Sequence, residues 1–326
     1  MARLIRTLVA LLALLVLAGI AILGVFRLQA QNRETTPRRE AAPTGGRFVQ
    51  AGDVEVFVQE VGDAAAPVVL FVHGMGAWSE IWRETLVETA AAGFRAVGID
   101  LPPFGYSERP PAGAYTRAHQ ARRILGALDG LGVSEAIFVG HSFGAGPTME
   151  AVLLAPARAR RLVLVDAALG LDAPDAGGGI AAVVLRARRV RNAVVAATAT
   201  NPMLTRRLLS RFIAIPAAAS PERIRMLQAP LVVQGATDGF GDWLYDFLTV
   251  PDAGLSRRGD AYRALRVPTL VLWGDRDTTT PLADGQHIAQ IIPGAYLVVM
   301  TGVGHMPQIE DGVGFNRLLL AFLRQP

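Results

Sequence analysis

From residue 47 onward, short apolar runs alternate with longer stretches of helical periodicity. Two runs, at residues 48–50 and 54–59, flank a Gly-Asp turn and predict a hairpin. Six further runs predict strands at residues 68–72, 95–99, 136–139, 162–165, 267–273 and 296–300, and the stretches between them predict helices at 78–92, 117–131, 144–155, 282–291 and 314–324. Such alternation predicts an α/β fold, with a mostly parallel central sheet that carries helices on both faces.

Residues 167–266 break this alternation. The segment is largely helical in pattern and contains Gly177-Gly178-Gly179, so we interpret it as a helical cap inserted between two strands. Its aromatic residues recur at near-helical spacing, which favours packing over substrate contact: Phe240, Trp243, Tyr245 and Phe247. Its arginines at 186, 188, 189 and 191 do not share one helical face, so a solvated charge run and a membrane-docking patch both stay open.

The N-terminus has a different pattern. Residues 7–26 carry no charge, and twenty helical residues span about 30 Å, the thickness of a bilayer core. We therefore predict a transmembrane anchor at 7–26, a flexible polar linker at 29–46 and a folded α/β domain at 47–326. A cleaved signal peptide is the alternative, although its apolar region is usually shorter. Arginines on both sides of the run leave the membrane orientation open.

Composition excludes several chemistries. The 326 residues include no cysteine and no lysine, so disulfides, thiolate catalysis, Ser-Lys dyads and a phosphate-loop lysine are all ruled out. The net charge is only +4 and no basic stripe is interleaved with aromatics, so we expect no nucleic-acid partner. The chain has no His-Glu-x-x-His spacing and no phosphate loop. We therefore expect neither a metal nor a cofactor.

The pentapeptide Gly140-His141-Ser142-Phe143-Gly144 matches the pattern G-x-S-x-G. It lies between a predicted strand and a predicted helix, where a sharp turn would expose the serine hydroxyl to the cleft. Gly140 and Gly144 would remove the Cβ atoms that clash in such a turn. Ser142 is therefore the candidate nucleophile. The alternative is a glycine-rich cap that merely begins a helix.

Over almost all of residues 47–326 the chain resembles the α/β-hydrolase superfamily. The matching landmarks, in the family's order, are Phe71-Val72-His73-Gly74, Asp100-Leu101-Pro102-Pro103-Phe104-Gly105-Tyr106-Ser107, the Ser142 motif, Gly274-Asp275-Arg276-Asp277 and Gly304-His305. The chain departs from the family's pattern at Pro103 and Ala145, where glycine is common. By this resemblance, the backbone N–H groups of Met75 and Phe143 form the oxyanion hole, and His73 and Gly74 shape the loop beside them.

The resemblance also implies the other two members of a catalytic triad. Among the five histidines, His305 matches the family's general base, whereas His73 and His141 belong to the glycine-flanked loops. Asp277 follows the strand at 267–273 and fits the family's acid. Asp275 is interpreted as a turn residue. Asp166, after the strand at 162–165, is the rival acid, because some family members place it there.

Because the candidate nucleophile in this turn is a serine, we expect hydrolysis of a carboxylic ester through an acyl-enzyme. The apolar cap and the anchor favour a small or lipid-like ester as substrate and the membrane as partner. One alternative is hydrolysis of a carbon–carbon bond with the same triad. Another is a non-catalytic binding protein, which the fold alone would permit.

Overall fold

The structure, a computed structural model, describes residues 2–171, 185–251 and 253–325. Within these ranges the centre of the protein is an eight-stranded sheet with the order β1-β2-β4-β3-β5-β6-β7-β8. The strands are β1 Gly46–Ala51, β2 Val54–Val61, β3 Val68–Val72, β4 Arg95–Ile99, β5 Ala136–His141, β6 Ala159–Val165, β7 Thr269–Gly274 and β8 Tyr296–Met300. Each strand overlaps one that the sequence predicts.

The helices that precede the insertion are α1 Ala2–Arg33, α2 Arg38–Ala41, α3 Arg83–Ala91, α4 Arg117–Gly130 and α5 Ala145–Leu154. Those between β6 and β7 are α6 Arg188–Ala197, α7 Thr205–Leu209, α8 Pro221–Gln228, α9 Ala236–Thr249 and α10 Gly259–Ala264. After β7 come α11 Leu282–Ile291, α12 Pro307–Glu310 and α13 Gly312–Leu323. Short 3₁₀ turns connect several of them, including one at Ser142–Gly144.

Strand pairing confirms the mostly parallel sheet. β1 and β2 form the predicted antiparallel hairpin, and β2 runs antiparallel to β4. All further neighbours are parallel. Every residue of β3, β5 and β7 is buried, as expected for strands covered on both faces. Helices α4, α5 and α11 pack on one face of the sheet and α3 and α13 on the other.

This topology determines where the candidate residues meet. β3, β5, β7 and β8 are parallel, so their carboxyl ends lie at the same edge of the sheet. His73 and Ser142 follow β3 and β5 directly, Asp277 lies three residues after β7, and His305 five residues after β8. Four segments far apart in sequence are thereby brought to one cleft.

The insertion between β6 and β7 is helical where the structure describes it. It lies over the same edge of the sheet, since α9 places Phe240 and Trp243 against Phe104, which follows β4. The predicted Gly177-Gly178-Gly179 segment lies outside the described residues. The cap limits of 167–266 therefore stay a prediction.

The segment predicted as a flexible linker, residues 29–46, is not a free tether in the structure. Helix α1 continues to Arg33, and Thr36 pairs with Val233 in an isolated parallel bridge. Arg38 in α2 forms an ion pair with Glu55 of β2. The prediction was wrong here because it relied on polarity and proline content, whereas the polar groups of this segment are used in specific pairs with the folded domain.

Candidate active site

Ser142 occupies a strained turn between β5 and α5. Its φ of 51° lies in the left-handed region, which a serine adopts only when its surroundings enforce it. A Cβ on Gly140 would lie 2.8 Å from the Ala145 Cα, and one on Gly144 would collide with the His73 carbonyl. Both glycines are thus required by close backbone approach, as the sequence predicts for this motif.

His305 and Asp277 lie beside this serine in a continuous chain of hydrogen bonds. The His305 Nε2 is 2.8 Å from the Ser142 Oγ, and its Nδ1 is 2.7 Å from the Asp277 Oδ2. This arrangement fits a neutral imidazole that carries its proton on Nδ1, donates to the carboxylate and accepts from the hydroxyl. It is the geometry in which a serine can transfer its proton to a positioned base.

Several donors surround the Asp277 carboxylate. The backbone N–H groups of Thr279 and Thr280 donate to Oδ1 at 2.7 and 3.0 Å, and the Thr280 hydroxyl donates to Oδ2 at 2.5 Å. Burial opposes ionisation, but the hydrogen bond and charge of His305 together with these donors outweigh it and lower the pKa of Asp277. An ionised Asp277 is therefore available to stabilise an imidazolium at His305.

His73 and His141 lie in the same region but have structural contacts. The His73 Nδ1 donates to the Gly74 carbonyl oxygen at 2.7 Å, and the His73 Nε2 accepts from the Leu101 N–H at 3.0 Å. His141 places Nε2 2.7 Å from the His305 carbonyl oxygen. Burial lowers the pKa of His73 to about 4 and that of His141 to about 3. Both imidazoles are therefore neutral near pH 7 and shape the loops, as the sequence predicts.

The predicted oxyanion donors flank the serine. A Cβ on Gly74 would lie 3.1 Å from the Ser142 Cβ, so the loop that continues into Met75 abuts the candidate nucleophile. Phe143 lies in the first turn after Ser142, where N–H groups have no acceptor within the helix. The loop that contains Met75 and the turn that contains Phe143 thus lie next to Ser142, and the role of their N–H groups as oxyanion donors stays a prediction.

The rival candidate acid, Asp166, lies close to both Asp277 and His305. Asp166, Asp277 and His305 each place one oxygen or nitrogen within 4.8 Å of the others. Burial and then the negative charge of Asp277 raise the pKa of Asp166 well above its usual range, although the Gly274 N–H donates to it at 2.9 Å. We therefore expect a neutral Asp166 beside an ionised Asp277. Asp275 accepts from the Gly302 N–H at 2.7 Å and is the turn residue expected.

Glu310 is a residue that sequence reasoning missed. Its carboxylate accepts four backbone N–H groups, at 2.6 to 3.1 Å, from the loops on both sides of His305 and from the insertion: Ala214, Ile215, Gly304 and Met306. Phe212 of the insertion accepts from the His305 N–H at 2.9 Å. A sequence signal existed, since Pro307 marks a helix start two residues after His305 and Glu310 lies in the first turn of that helix.

A pocket of about 210 Å³ opens beside these groups. It reaches Met75, Phe212 and Met306, and the Phe212 ring centroid lies 5.8 Å from that of His305. The other lining side chains are mostly apolar and come from the loops after β3 and β4 and from the insertion: Ala77, Trp78, Pro103, Phe104, Leu208, Leu209, Leu227, Pro230, Leu231, Ala236 and Phe240. Among the described residues, Arg109 is its one charged lining side chain.

The aromatic residues of α9 largely pack, as the sequence predicts. Trp243 lies 5.0 Å from Phe143 and stacks on Phe247 at 5.1 Å between ring centroids. Phe240 both packs on Trp243 and lines the pocket. The aromatic cluster therefore joins the insertion to the turn that carries Ser142.

Comparison with known proteins agrees with this architecture. A family profile described as alpha/beta hydrolase fold matches residues 67–312, three quarters of the chain. The chain belongs to the α/β-hydrolase family. It is a hydrolase by that membership, and the fold predicted from the sequence is confirmed.

Two curated relatives match most of this chain. A 2-hydroxymuconate semialdehyde hydrolase of Pseudomonas putida is 29% identical over 294 residues, which cover 88% of this chain and 96% of the relative. The enzyme of the same name from Pseudomonas sp. strain CF600 is 31% identical over 295 residues, or 87% and 95%. Both relatives are thus named as hydrolases of the same small molecule.

Solved structures show the same fold. A meta-cleavage product hydrolase from Pseudomonas fluorescens IP01, in complex with acetates, matches with a TM-score of 0.70 at 25% identity, over 85% of this chain and 97% of its own. A thermophilic esterase from Thermogutta terrifontis with malate bound matches at 0.69 and 22% identity, over 86% and 98%. At that identity the esterase supports the fold alone.

We predict that Glu310→Gln lowers the reaction rate of Ser142 by about tenfold or more, because a side-chain amide turns a donor toward N–H donors and shifts the His305 loop. Asp311→Asn is the matched control, since the Asp311 side chain caps α13 by accepting from the Gly314 N–H. The measurement is the rate of fluorophosphonate labelling of the full chain. A rate equal to that of the control would contradict a positioning role.

Asp166→Asn tests the neutral state of Asp166. A carboxyl with a raised folded pKa stabilises the protein at low pH, and this contribution is lost as pH rises toward the folded pKa. Asparagine does not titrate. We therefore expect the variant to gain stability relative to wild type as pH rises from about 4 to 9, measured by thermal unfolding.

Asp275→Asn, in the exposed neighbouring turn, is the control and should show no such trend. A pH-independent difference between Asp166→Asn and wild type would mean that Asp166 is ionised in the folded protein.

Proposed function

We propose that the protein is a serine hydrolase that works through an acyl-enzyme on Ser142. The chain of contacts from Ser142 to His305 to Asp277, at 2.8 and 2.7 Å, is the observation that carries this proposal. Ser142 Oγ attacks the substrate carbonyl while His305 takes its proton and Asp277 stabilises the imidazolium. The N–H groups of Met75 and Phe143 receive the oxyanion.

Collapse of the tetrahedral intermediate expels the leaving group, to which His305 returns the proton. His305 then activates a water molecule, and the acyl group leaves as a carboxylic acid. The same steps serve an ester, whose leaving group departs on oxygen, and a ketone, whose leaving group departs on carbon. A carbon leaving group requires a conjugated carbonyl that can delocalise its electron pair.

We propose cleavage of a carbon–carbon bond in a conjugated oxo-acid as the reaction. The relatives that match most of the chain are named for 2-hydroxymuconate semialdehyde and for 2-hydroxy-6-oxo-2,4-heptadienoate. Both compounds meet the requirement for delocalisation once the 2-hydroxy group has tautomerised to a 2-oxo group and C5 has taken up a proton, because the electron pair left on C5 is then conjugated with the 2-oxo group. Both compounds also carry a carboxylate. The pocket offers Arg109 to such a group, and its Nε has no hydrogen-bond partner among the described residues.

Hydrolysis of an apolar ester is the second candidate, and the pocket lining favours it. Apolar residues form most of the described wall, which suits an acyl chain without charge. The mechanism at Ser142 would be the same. The two candidates therefore differ in what the pocket recognises and in the leaving group.

We also propose that α1 anchors the protein in a membrane. The helix is long and apolar enough to cross a bilayer, and its most apolar window buries nothing against the rest of the protein. Leu4, Leu15 and Leu17 are 63–70% exposed. Exposure of such a surface to water costs free energy roughly in proportion to its area, about 25 cal/mol per Å². A lipid environment removes that cost.

Arg109→Gln separates the two substrate classes. For a 2-hydroxy-6-oxo-dienoate we expect KM to rise about 10- to 100-fold, because a charge-assisted hydrogen bond to the carboxylate is lost. For a neutral p-nitrophenyl ester we expect little change. Arg122→Gln, on the exposed side of α4, is the control.

Wild-type turnover of the dienoate above that of the esters would support the carbon–carbon reaction. Turnover of esters alone would contradict it and favour the second candidate. Ser142→Ala should abolish both activities.

A further inference from the structure

One face of α1 is packed against the insertion. Leu23, Phe26 and Arg27 are half-buried and Ala30 and Glu34 are buried, whereas the residues between them are mostly exposed. Their spacing of three and four residues places them on one side of the helix. The partner of this face includes α6, which packs along the same part of α1.

Polar contacts hold the C-terminal end of α1 against the insertion, and we call this contact the joint. Arg27 forms an ion pair with Asp238 at 2.6 Å, and the Arg33 Nε donates to the Leu231 carbonyl at 3.0 Å. Glu34 accepts from the Thr237 N–H at 3.1 Å. The last two turns of α1 and the residue directly after it are thereby bound to the start of α9 and the segment before it. A helix held in this way fixes the orientation of the insertion relative to α1. A flexible tether would limit only the distance of the insertion from the membrane.

The uncharged stretch of α1 indicates the level of the bilayer. Residues 7–26 span about 30 Å as a helix, so the hydrocarbon layer ends near Phe26. Leu23, three residues inside that limit, is already half-buried on the face that packs against the insertion. From Arg27 to Glu34 the helix rises only about 10 Å. The part of the insertion that contacts α1 therefore lies at the depth of the lipid headgroups.

The pocket rim lies in the same part of the insertion. Leu231 and Ala236 line the pocket, and the first of them accepts the hydrogen bond from Arg33. The rim is therefore next to the joint with α1 and close to the bilayer surface.

The outer side of α6 has the composition of an interfacial helix. Val190 and Val194 are 45% and 38% exposed, and Arg186 and Arg189 beside them are exposed as well. Apolar side chains next to arginines suit the boundary between acyl chains and phosphate groups. Charge and polarity thus match one occupant, the lipid bilayer in which α1 is inserted.

We propose that α6 and the pocket rim rest on the bilayer surface, so that the substrate enters the pocket from the lipid rather than from bulk water. This inference rests on the membrane anchor of the proposed function and adds an orientation and an entry route. The substrate class it implies is an amphiphilic molecule, whose apolar part partitions into the membrane while its carbonyl reaches Ser142.

The absence of cysteine from the chain allows a direct test. Val190→Cys and Val194→Cys are labelled with a small fluorophore in the full chain, which is then reconstituted in nanodiscs that contain a nitroxide-bearing lipid. Val313→Cys, 85% exposed at the start of α13 on the hydrolase core, is the control. We expect quenching at 190 and 194 to exceed that at 313 by about twofold or more, as for an interfacial helix.

A second variant tests the joint. Arg27→Ala removes the ion pair with Asp238 but leaves the hydrogen bond from Asn192 of α6 to Asp238, and it should reduce quenching at 190 toward the value at 313. Asp260→Ala, which removes an exposed ion pair with Arg258, should not. Equal quenching at 190, 194 and 313 in nanodisc-bound protein would overturn the proposal, and so would failure of the chain to co-elute with nanodiscs.

The reactivity of Ser142 toward fluorophosphonate is recorded in the same samples. If quenching follows the expected pattern while Ser142 does not react, the surface proposal stands and the proposed reaction fails. The two ideas therefore fail independently.

Discussion

The strained turn at Ser142 is the constraint on which the rest of the site depends. A serine with a φ of 51° persists only because β5 and α5 hold both of its flanks and because glycine at 140 and 144 lets neighbouring backbone approach. The turn directs the hydroxyl to the sheet edge where β3, β7 and β8 also end. Each of those strands then needs only a short loop to deliver a donor, an acid or a base.

The titratable side chains of this cleft differ in their protonation states. Hydrogen bonds keep Asp277 ionised, whereas burial favours the neutral form of Asp166, His73 and His141. A single negative charge is thus placed behind His305. Two ionised carboxylates at that distance would repel each other, and the neutral form of Asp166 avoids this repulsion.

The sequence predicts much of the fold because the determining signals are local. The buried strands are continuous apolar runs, and the turn at Ser142 has a motif with a mechanical reason for each glycine. The contacts of Glu310 and Glu34 could not be predicted in the same way. Glu310 joins two loops and the insertion, nearly a hundred residues apart, and Glu34 is buried against Thr237 in a segment whose polarity indicates a flexible linker.

The choice between the two acids also needed the fold. Asp166 and Asp277 both follow parallel strands that are neighbours in the sheet, so either could approach a histidine from sequence position alone. Only the three-dimensional arrangement shows that the Asp277 oxygen reaches the His305 Nδ1, while Asp166 lies close to both residues. Which bond is cleaved depends on the substrate that the pocket binds. The pocket is lined largely by residues of the insertion.

The central claim is that Ser142 is a nucleophile activated by His305. The most direct measurement is fluorophosphonate labelling of the full chain, with the labelled residue identified by peptide mass spectrometry in wild type and in Ser142→Ala. The account predicts one adduct, on Ser142, in wild type and none in the variant. A folded wild-type protein that takes up no label, or a variant labelled as fast as wild type, would contradict it.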